Sequence, residues 1–342
     1  MGEDRYWRRK NVFVTGCTGL LGSWLTLRLV EEGANVVGLV RDLVPKSNLN
    51  LSGAWASINV VRGSVTDYEI VLRALNEYEI DTCFHLAAQT IVTIANRSPL
   101  STFESNIRGT WQVLEACRHT PTIERIVVAS SDKAYGEHPD LPYTENTPLR
   151  GAHPYDVSKS CADLLAQTYW RTYALPLGIT RCGNLYGGGD LNFNRVVPGT
   201  IRSLYYGESP VIRSDGTPLR DYVYVKDGVT SSLTLARALD REEVRGRAFN
   251  FGPERPVSVL DLVRLILSLA NKTHLAPKVL GKDRIPGEIH HQYLSHAEAE
   301  SVLGWKPGYS LEEGLRETLR WYEDFFGRTS VSAPPSESCG LI

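Results

Sequence analysis

The 342-residue chain has one methionine and six cysteines, and none of its apolar runs reaches the ~18 residues needed to cross a bilayer. Cys17, Cys83, Cys117, Cys161, Cys182 and Cys339 are scattered, with no C-x-x-C pair and no Cys/His spacing suited to zinc. All but the last fall in expected strands, helices or the first turn, where a free thiol behaves as a small hydrophobe. A reducing, cytoplasmic setting is therefore expected. An excess of either charge is also missing, since 37 basic and 39 acidic side chains leave a net −2. That balance excludes an extended basic face for nucleic acid or an anionic membrane. The charged start, MGEDRYWRRK, is followed by no apolar stretch, so no signal peptide is expected. In the final Cys339-Gly-Leu-Ile342 a glycine stands where a prenylation box needs an aliphatic residue, and no polybasic run precedes it. His85, in an apolar strand, reads as a core residue, and His290-His291 has no partner at metal spacing, so no metal is expected.

What the sequence does have is alternation. NVFVT (11–15), NVVGLV (35–40), DTCFHLA (81–87), ERIVVAS (124–130) and LGITRCG (177–183) read as strands. Between them lie helical patterns over 20–33, 67–78, 100–118 and 153–174. Near-continuous apolar strands separated by helices imply a parallel sheet covered on both faces, an α/β doubly wound fold. After residue 184 glycines and prolines become frequent (YGGGDLNF, VVPGT, SDGTP, FGPERP, RIPGE). This reads as a smaller lobe over 184–326, with segments returning to the sheet, appended to a dinucleotide-binding domain over 1–183. LEEGLRETLRWYEDFF (311–326) is an amphipathic closing helix, and the polar 327–342 is expected to be a disordered tail.

Thr15-Gly-Cys-Thr-Gly-Leu-Leu-Gly22 sits between the first strand and the first helix. Gly16 permits a tight turn, Gly19 lets backbone approach a pyrophosphate, and Gly22 lets the helix lie against the sheet. The second strand ends in Val40-Arg41-Asp42. Asp42 could accept from the free ribose hydroxyls of NAD, and Arg41 could hold the 2′-phosphate of NADP; NAD is the favoured reading.

Tyr155-Asp-Val-Ser-Lys159 places a phenol and an ammonium on one helix face. A cation ~4 Å from the phenol, at an effective dielectric near 20, offers about 4 kcal/mol, on the order of three pKa units. Tyr155 could then remove a hydroxyl proton near neutral pH while hydride leaves the same carbon. Ser130-Ser-Asp-Lys-Ala-Tyr-Gly136 follows a buried strand, at the strand end where ligands bind in such sheets. A hydroxyl there, that of Ser131, can bond the reacting oxygen, and Asp132-Lys133 is an acid/base-capable pair beside it.

TGCTGLLG, HLAAQ, SSDKAYG, YDVSK and NLYGGGD together resemble the extended short-chain dehydrogenase/reductases acting on nucleotide sugars, the epimerase/dehydratase family, over about residues 7–326. WRRKNVFVTG, GSWL, FHLAAQ, GNLYGGGD and the closing LGWKP are most similar to its CDP-glucose 4,6-dehydratase branch, whereas RDYVYV (220–225) follows the general family pattern. The resemblance implies a Rossmann-type sheet with a C-terminal substrate lobe, a homodimer formed through the 100–118 and 153–174 helices, and a nucleotide-diphosphate sugar as substrate. It makes Ser131, Tyr155 and Lys159 the oxidoreductive triad and Asp132 the acid for the departing C6 hydroxyl. Lys133 takes the place where thymidine-sugar dehydratases carry a glutamate base. Cofactor contacts are implied for Gly16, Thr18, Gly19, Leu20, Leu21, Gly22, Arg41, Leu86, Ala87, Ala88, Tyr155 and Lys159. Gln89, Ser131, Asn184, Arg195 and Arg220 are implied to reach the sugar or its diphosphate, Arg220 by a charge-assisted fork. The implied reaction oxidises C4, eliminates water across C5–C6, and returns hydride to C6. A 4-epimerase, such as one acting on UDP-glucose or UDP-glucuronate, is the alternative within the family. A non-catalytic dinucleotide sensor is the alternative outside it.

Overall fold

A computed structural model describes residues 6–281 and 289–331, with side chains as far as Arg328. Valine-rich runs form the first two strands, β1 (Asn11–Thr15) and β2 (Asn35–Val40), with α1 (Leu20–Glu31) between them. A short α2 (Asn48–Leu51) leads to β3 (Asn59–Arg62) and α3 (Tyr68–Glu77). The side chain of Asp67 caps α3 by accepting from the Ile70 N–H at 3.2 Å. Then come β4 (Thr82–His85), α4 (Val92–Arg97), α5 (Pro99–Phe103), α6 (Gly109–Arg118) and β5 (Arg125–Ala129). Pro154 opens the 20-residue α7 (Pro154–Tyr173), which ends on Ala174 in the left-handed region at φ 54°, before β6 (Leu177–Cys182).

The expected helix over 100–118 is built in three pieces. Between α5 and α6, Glu104–Arg108 adopts a π-helical turn. Its buried Asn106 spends its amide on a neighbouring loop and on α7: Oδ1 accepts from Gln89 N, and Nδ2 donates to Gln89 O and to Ser158 Oγ. The extra residue in the turn is the geometric means of aiming that amide inward.

The sheet holds seven strands, all parallel, in the order β11-β6-β5-β4-β1-β2-β3. Its outermost strand beside β6 is Ala248–Phe251 (β11), reached only after a long excursion. That excursion comprises β7 (Asn184–Tyr186), α8 (Val196–Tyr205), β8 (Val211–Ile212), β9 (Leu219–Arg220), β10 (Tyr222–Tyr224) and α9 (Val225–Ala238). After β11 follow β12 (Val257–Ser258), α10 (Val259–Leu269), β13 (Lys278–Val279), β14 (His291–Gln292) and α11 (Leu311–Val331). Short pairings tie this second part together: β7 with β10, β8 with β13, and β9 with both β12 and β14.

Apolar packing covers both faces of the sheet. Val12, Val14, Leu25, Leu29, Phe84 and Phe249 gather on one face; Phe13, Val37, Leu75, Leu114, Ile126 and Ile179 gather on the other. A third cluster, with Ile201, Leu204, Leu262, Ile266, Leu315 and Tyr322, fills the lobe. This is a Rossmann-like α/β fold. α11 runs past the expected end at 326 to Val331, because nothing beyond Gly327 breaks a helix before Pro334. The rest of the expected tail, with Cys339 and its C-terminal box, and the RIPGE segment lie outside the described residues.

Candidate active site

Strand order reverses between β1 and β4, and their carboxyl ends open a crevice there. Thr15 and His85 close the two strands. The Thr15 hydroxyl accepts from the Leu86 and Ala87 N–H groups at 3.1 and 3.2 Å and lies 2.9 Å from His85 Nδ1. The other ring nitrogen of His85 is 3.1 Å from Thr110 Oγ1. His85 is thus a satisfied core residue, and burial pushes its pKa down to about 3, with the Lys159 ammonium adding to the effect.

Gly16 begins the first turn at φ +74°, and a Cβ on it would lie 2.8 Å from Ala87 N. Gly22 is packed more tightly, since a Cβ there would come 2.1 Å from the Gly16 carbonyl oxygen. Gly19 is different: its Cβ would meet only that oxygen, at 3.3 Å, and otherwise face open space. The space is a cavity of about 580 Å³ running from the turn to the lobe.

At the carboxyl end of β5, Ser131 starts a 3-10 turn over Asp132–Tyr135. Its hydroxyl accepts from Lys133 N at 3.2 Å and donates to Asp132 Oδ1 at 2.9 Å. Lys133 Nζ donates to Asp132 Oδ2 at 2.8 Å and to Gln292 Oε1 at 2.5 Å. Burial lowers the pKa of the Lys133 ammonium, opposed by Asp132 and assisted by Arg220. Tyr155 and Lys159 stand one turn apart on the buried face of α7. Burial pushes the phenol of Tyr155 up to about 12; Asp132 adds to the rise, and a hydrogen bond with Ser131 opposes it. Lys159 donates to the Ala129 carbonyl at 2.8 Å, and its own pKa is pushed down to about 8 by burial. The downward shift of Tyr155 expected from Lys159 is therefore absent here. Desolvation of both groups outweighs their attraction, and the ammonium is engaged with the strand end.

The cavity is lined by Gly16, Thr18, Gly19, Leu20, Leu21, Gly22, Arg41, Leu86, Ala87, Ala88, Tyr155 and Lys159, and by Gln89, Ser131, Asp132, Lys133, Asn184 and Arg195. Arg220 is the exception. Its guanidinium donates to the carbonyls of Leu219 and His290, both at 2.8 Å, and to that of Ile289, and it does not line the cavity. These contacts strap the guanidinium to main chain, because β14 pairs beside β9 and brings the His290 and Ile289 carbonyls within reach.

Residues 12–252 match the model of the NAD dependent epimerase/dehydratase family. The chain belongs to that family. A CDP-glucose 4,6-dehydratase of Salmonella typhimurium is 30% identical, over 94% of this chain and 93% of that protein. The solved dTDP-glucose 4,6-dehydratase of Streptomyces venezuelae, with NAD bound, is 26% identical at a TM-score of 0.83, covering 93% of this chain and 98% of that one. A UDP-glucose 4-epimerase of Thermotoga maritima, solved with UDP-glucose, is 28% identical at a TM-score of 0.83, covering 92% and 99%.

The residues present suit the family's cofactor. A left-handed glycine and an uncluttered Gly19 leave room for a pyrophosphate at the start of α1. Arg41 and Asp42, paired at 2.6 Å and about two-thirds exposed, line the same cavity. Gly63, Ser64 and Val65 line it too. Sequence reasoning missed Asn192, Asn194 and Arg213 in the lobe wall and Gln292 behind Lys133. It also missed Asn106, for which a signal existed: an asparagine inside an otherwise good helix competes with the backbone unless something else engages it.

Proposed function

We propose that the protein is a nucleotide-sugar 4,6-dehydratase, acting on a CDP-glucose-like substrate and releasing a 4-keto-6-deoxy sugar nucleotide. The observation that carries this reading is the Asp132–Lys133 ion pair, 2.8 Å apart and inside the same cavity as Tyr155 and the glycine turn. A 4-epimerase has no leaving hydroxyl to protonate, so in it the pair would be idle. Bound NAD would be held by the turn from Gly16 to Gly22, by Arg41–Asp42 and by Leu86–Ala88, and would supply the hydride acceptor for C4 and the donor for C6.

The chain's own groups do the rest. Tyr155 takes the proton of the C4 hydroxyl, with Ser131 bonding that oxygen. Burial keeps the phenol protonated near neutral pH, so it becomes a base only when positive charge beyond that of Lys159 is brought beside it. The resulting 4-ketone acidifies the C5 proton, which Lys133 removes while Asp132 protonates the leaving C6 hydroxyl. Gln89, Asn184 and Arg195 line the substrate end; Arg195 is held at 2.9 Å by Asp190 with its side chain still 39% exposed toward a ligand.

The division into a cofactor domain to residue 183 and a substrate lobe to 326 belongs to the same reading. So does a homodimer through α5, α6 and α7, whose Leu100, Trp111 and Leu164 are exposed apolar side chains. The five cysteines among the described residues are free, four of them buried, which supports a reducing, cytoplasmic setting. Mass spectrometry of products from CDP-, UDP-, GDP- and dTDP-glucose tests the activity. Loss of one water from a single substrate, with no net cofactor consumption, supports it. An unchanged mass with C4 inverted replaces it with the epimerase reading, and binding without turnover across the panel favours a sensor.

A further inference from the structure

Lys133 is held by two groups of different kind. One is the carboxylate of Asp132 on its own turn; the other is the amide of Gln292, 159 positions away on β14. Gln292 is fully buried and uses both ends of its side chain: Oε1 accepts from Lys133 Nζ, and Nε2 donates to the main-chain carbonyl of Asp132 at 2.7 Å. Its place is set by the parallel pairing of β14 with β9, in which Gln292 lies opposite Arg220. The amide therefore spans the catalytic turn like a brace, fixed to the acid at its backbone and to the base at its nitrogen.

We propose that Gln292 is a positioning residue for the C5 proton transfer, holding Lys133 in place while leaving it free to lose and regain its proton. The inference rests on the dehydratase reading. A carboxylate at this position would bind the ammonium but lock its proton in place. An amide oxygen accepts from an ammonium and, more weakly, from a neutral amine, so it keeps its contact in both states without the full charge of a carboxylate. The other charged groups facing Lys133 are Asp132 on its own turn, Asp156 on α7 and Arg220 on β9, and they include both signs.

The proton balance closes. The resting ion pair carries one proton on Lys133, which crosses the 2.8 Å contact to Asp132. In the elimination the C5–H bond breaks and its proton goes to the Lys133 amine. A C5–C6 double bond forms, the C6–O bond breaks, and the hydroxyl departs as water with the proton of Asp132. The ion pair is thereby restored. When C6 takes back hydride, Lys133 returns its proton to C5. The one proton then missing from the pair is matched by the C4-hydroxyl proton held on Tyr155 and returned through solvent.

Gln292→Leu and Gln292→Glu holoenzymes, given the substrate that wild type dehydrates, test this in single turnovers. C4 oxidation is followed by the near-ultraviolet absorbance of reduced nicotinamide, and elimination by exchange of deuterium from C5. Gln292→Leu is expected to slow C5 exchange by about a hundredfold, the low end of a general acid–base contribution, with C4 oxidation within about twofold of wild type. Gln292→Glu is expected to hold the proton on Lys133 and move the pH midpoint of C5 exchange upward by about one unit or more. Equal loss of both steps in Gln292→Leu, or an unmoved pH midpoint in Gln292→Glu, overturns the positioning role and leaves the dehydratase reading intact. A wild-type protein that forms no 4-keto-6-deoxy product overturns that reading and the inference with it.

Discussion

Two glycines of the first turn should fail in opposite ways when each is changed to alanine. In Gly22→Ala the new methyl would sit 2.1 Å from the Gly16 carbonyl oxygen, 2.8 Å from its carbon and 3.0 Å from Cys17 Cα. These are backbone atoms of the tight turn, so no side chain can swing away to relieve them. Such contacts relax near ~3.5 Å, which requires helix α1 and the turn to part by about 1.4 Å. Overpacking of this kind costs about 1–3 kcal/mol, more where backbone must move. At ~2.1 cal/mol/K per residue over 342 residues, each kcal/mol is worth about 1.4 °C, so the melting temperature should fall by about 2–4 °C without any ligand present. Gly19→Ala is the contrast. Its backbone is extended (φ −77°, ψ 178°), open to any residue, and its methyl would meet one oxygen at 3.3 Å. That methyl would, however, stand in the cavity. Melting should therefore stay within about 1 °C, while the Kd for NAD by titration calorimetry rises at least about tenfold, a loss of ~1.4 kcal/mol. A stable Gly22→Ala protein, or a Gly19→Ala protein that melts early yet binds NAD normally, would refute the division of labour.

Replacing Lys133 by Met should spare C4 oxidation but slow loss of the C5 proton by about 10²–10⁴-fold, measured by the same single turnovers; equal loss in both steps would mean the residue is misassigned. His85 makes the fold sensitive to acid. Its folded pKa near 3 lies below the ordinary 6.5, so the unfolded chain takes up the proton first and stability falls as pH drops through that window, by about 1.4 kcal/mol per unit. Urea midpoints at pH 7 and pH 5 should show the slope, and His85→Gln should flatten it. Arg181 forks onto Asp163 at 2.8 and 2.9 Å inside the protein, and Arg181→Met should cost about 3–5 kcal/mol in chemical denaturation by stranding that carboxylate.

Much of the site is legible in sequence because its parts are local. The glycine turn, the Tyr155–Lys159 pair and the Ser131-Asp132-Lys133 run each lie within one turn of chain, and each is placed by the strand or helix that carries it. Arg220 and Gln292 are different. Their roles depend on the pairing of β9 with β14, some seventy residues apart, and no local spacing records which strand will lie beside which. The same holds for Tyr155's acidity. Spacing gives its distance along the helix from Lys159, while the sign of the shift follows from how deeply both are buried. The π turn at Glu104–Arg108 is invisible to a 3.6-residue pattern, because one extra residue leaves the apolar stripe readable on either side.

The seventh strand has a consequence for how the molecule can be cut or copied. The chain leaves the sheet after β6, builds part of the lobe, and comes back to lay down β11 beside the strand it left. A fragment ending at residue 183 would expose the whole hydrogen-bonding edge of β6, whose six residues are all buried in the intact protein. Such an edge invites pairing with other chains. The lobe and the sheet are thus stitched together by one strand. Swapping lobes between relatives to change sugar preference would therefore have to carry β11 across as part of the recipient sheet, or leave it behind and replace the lobe on either side of it.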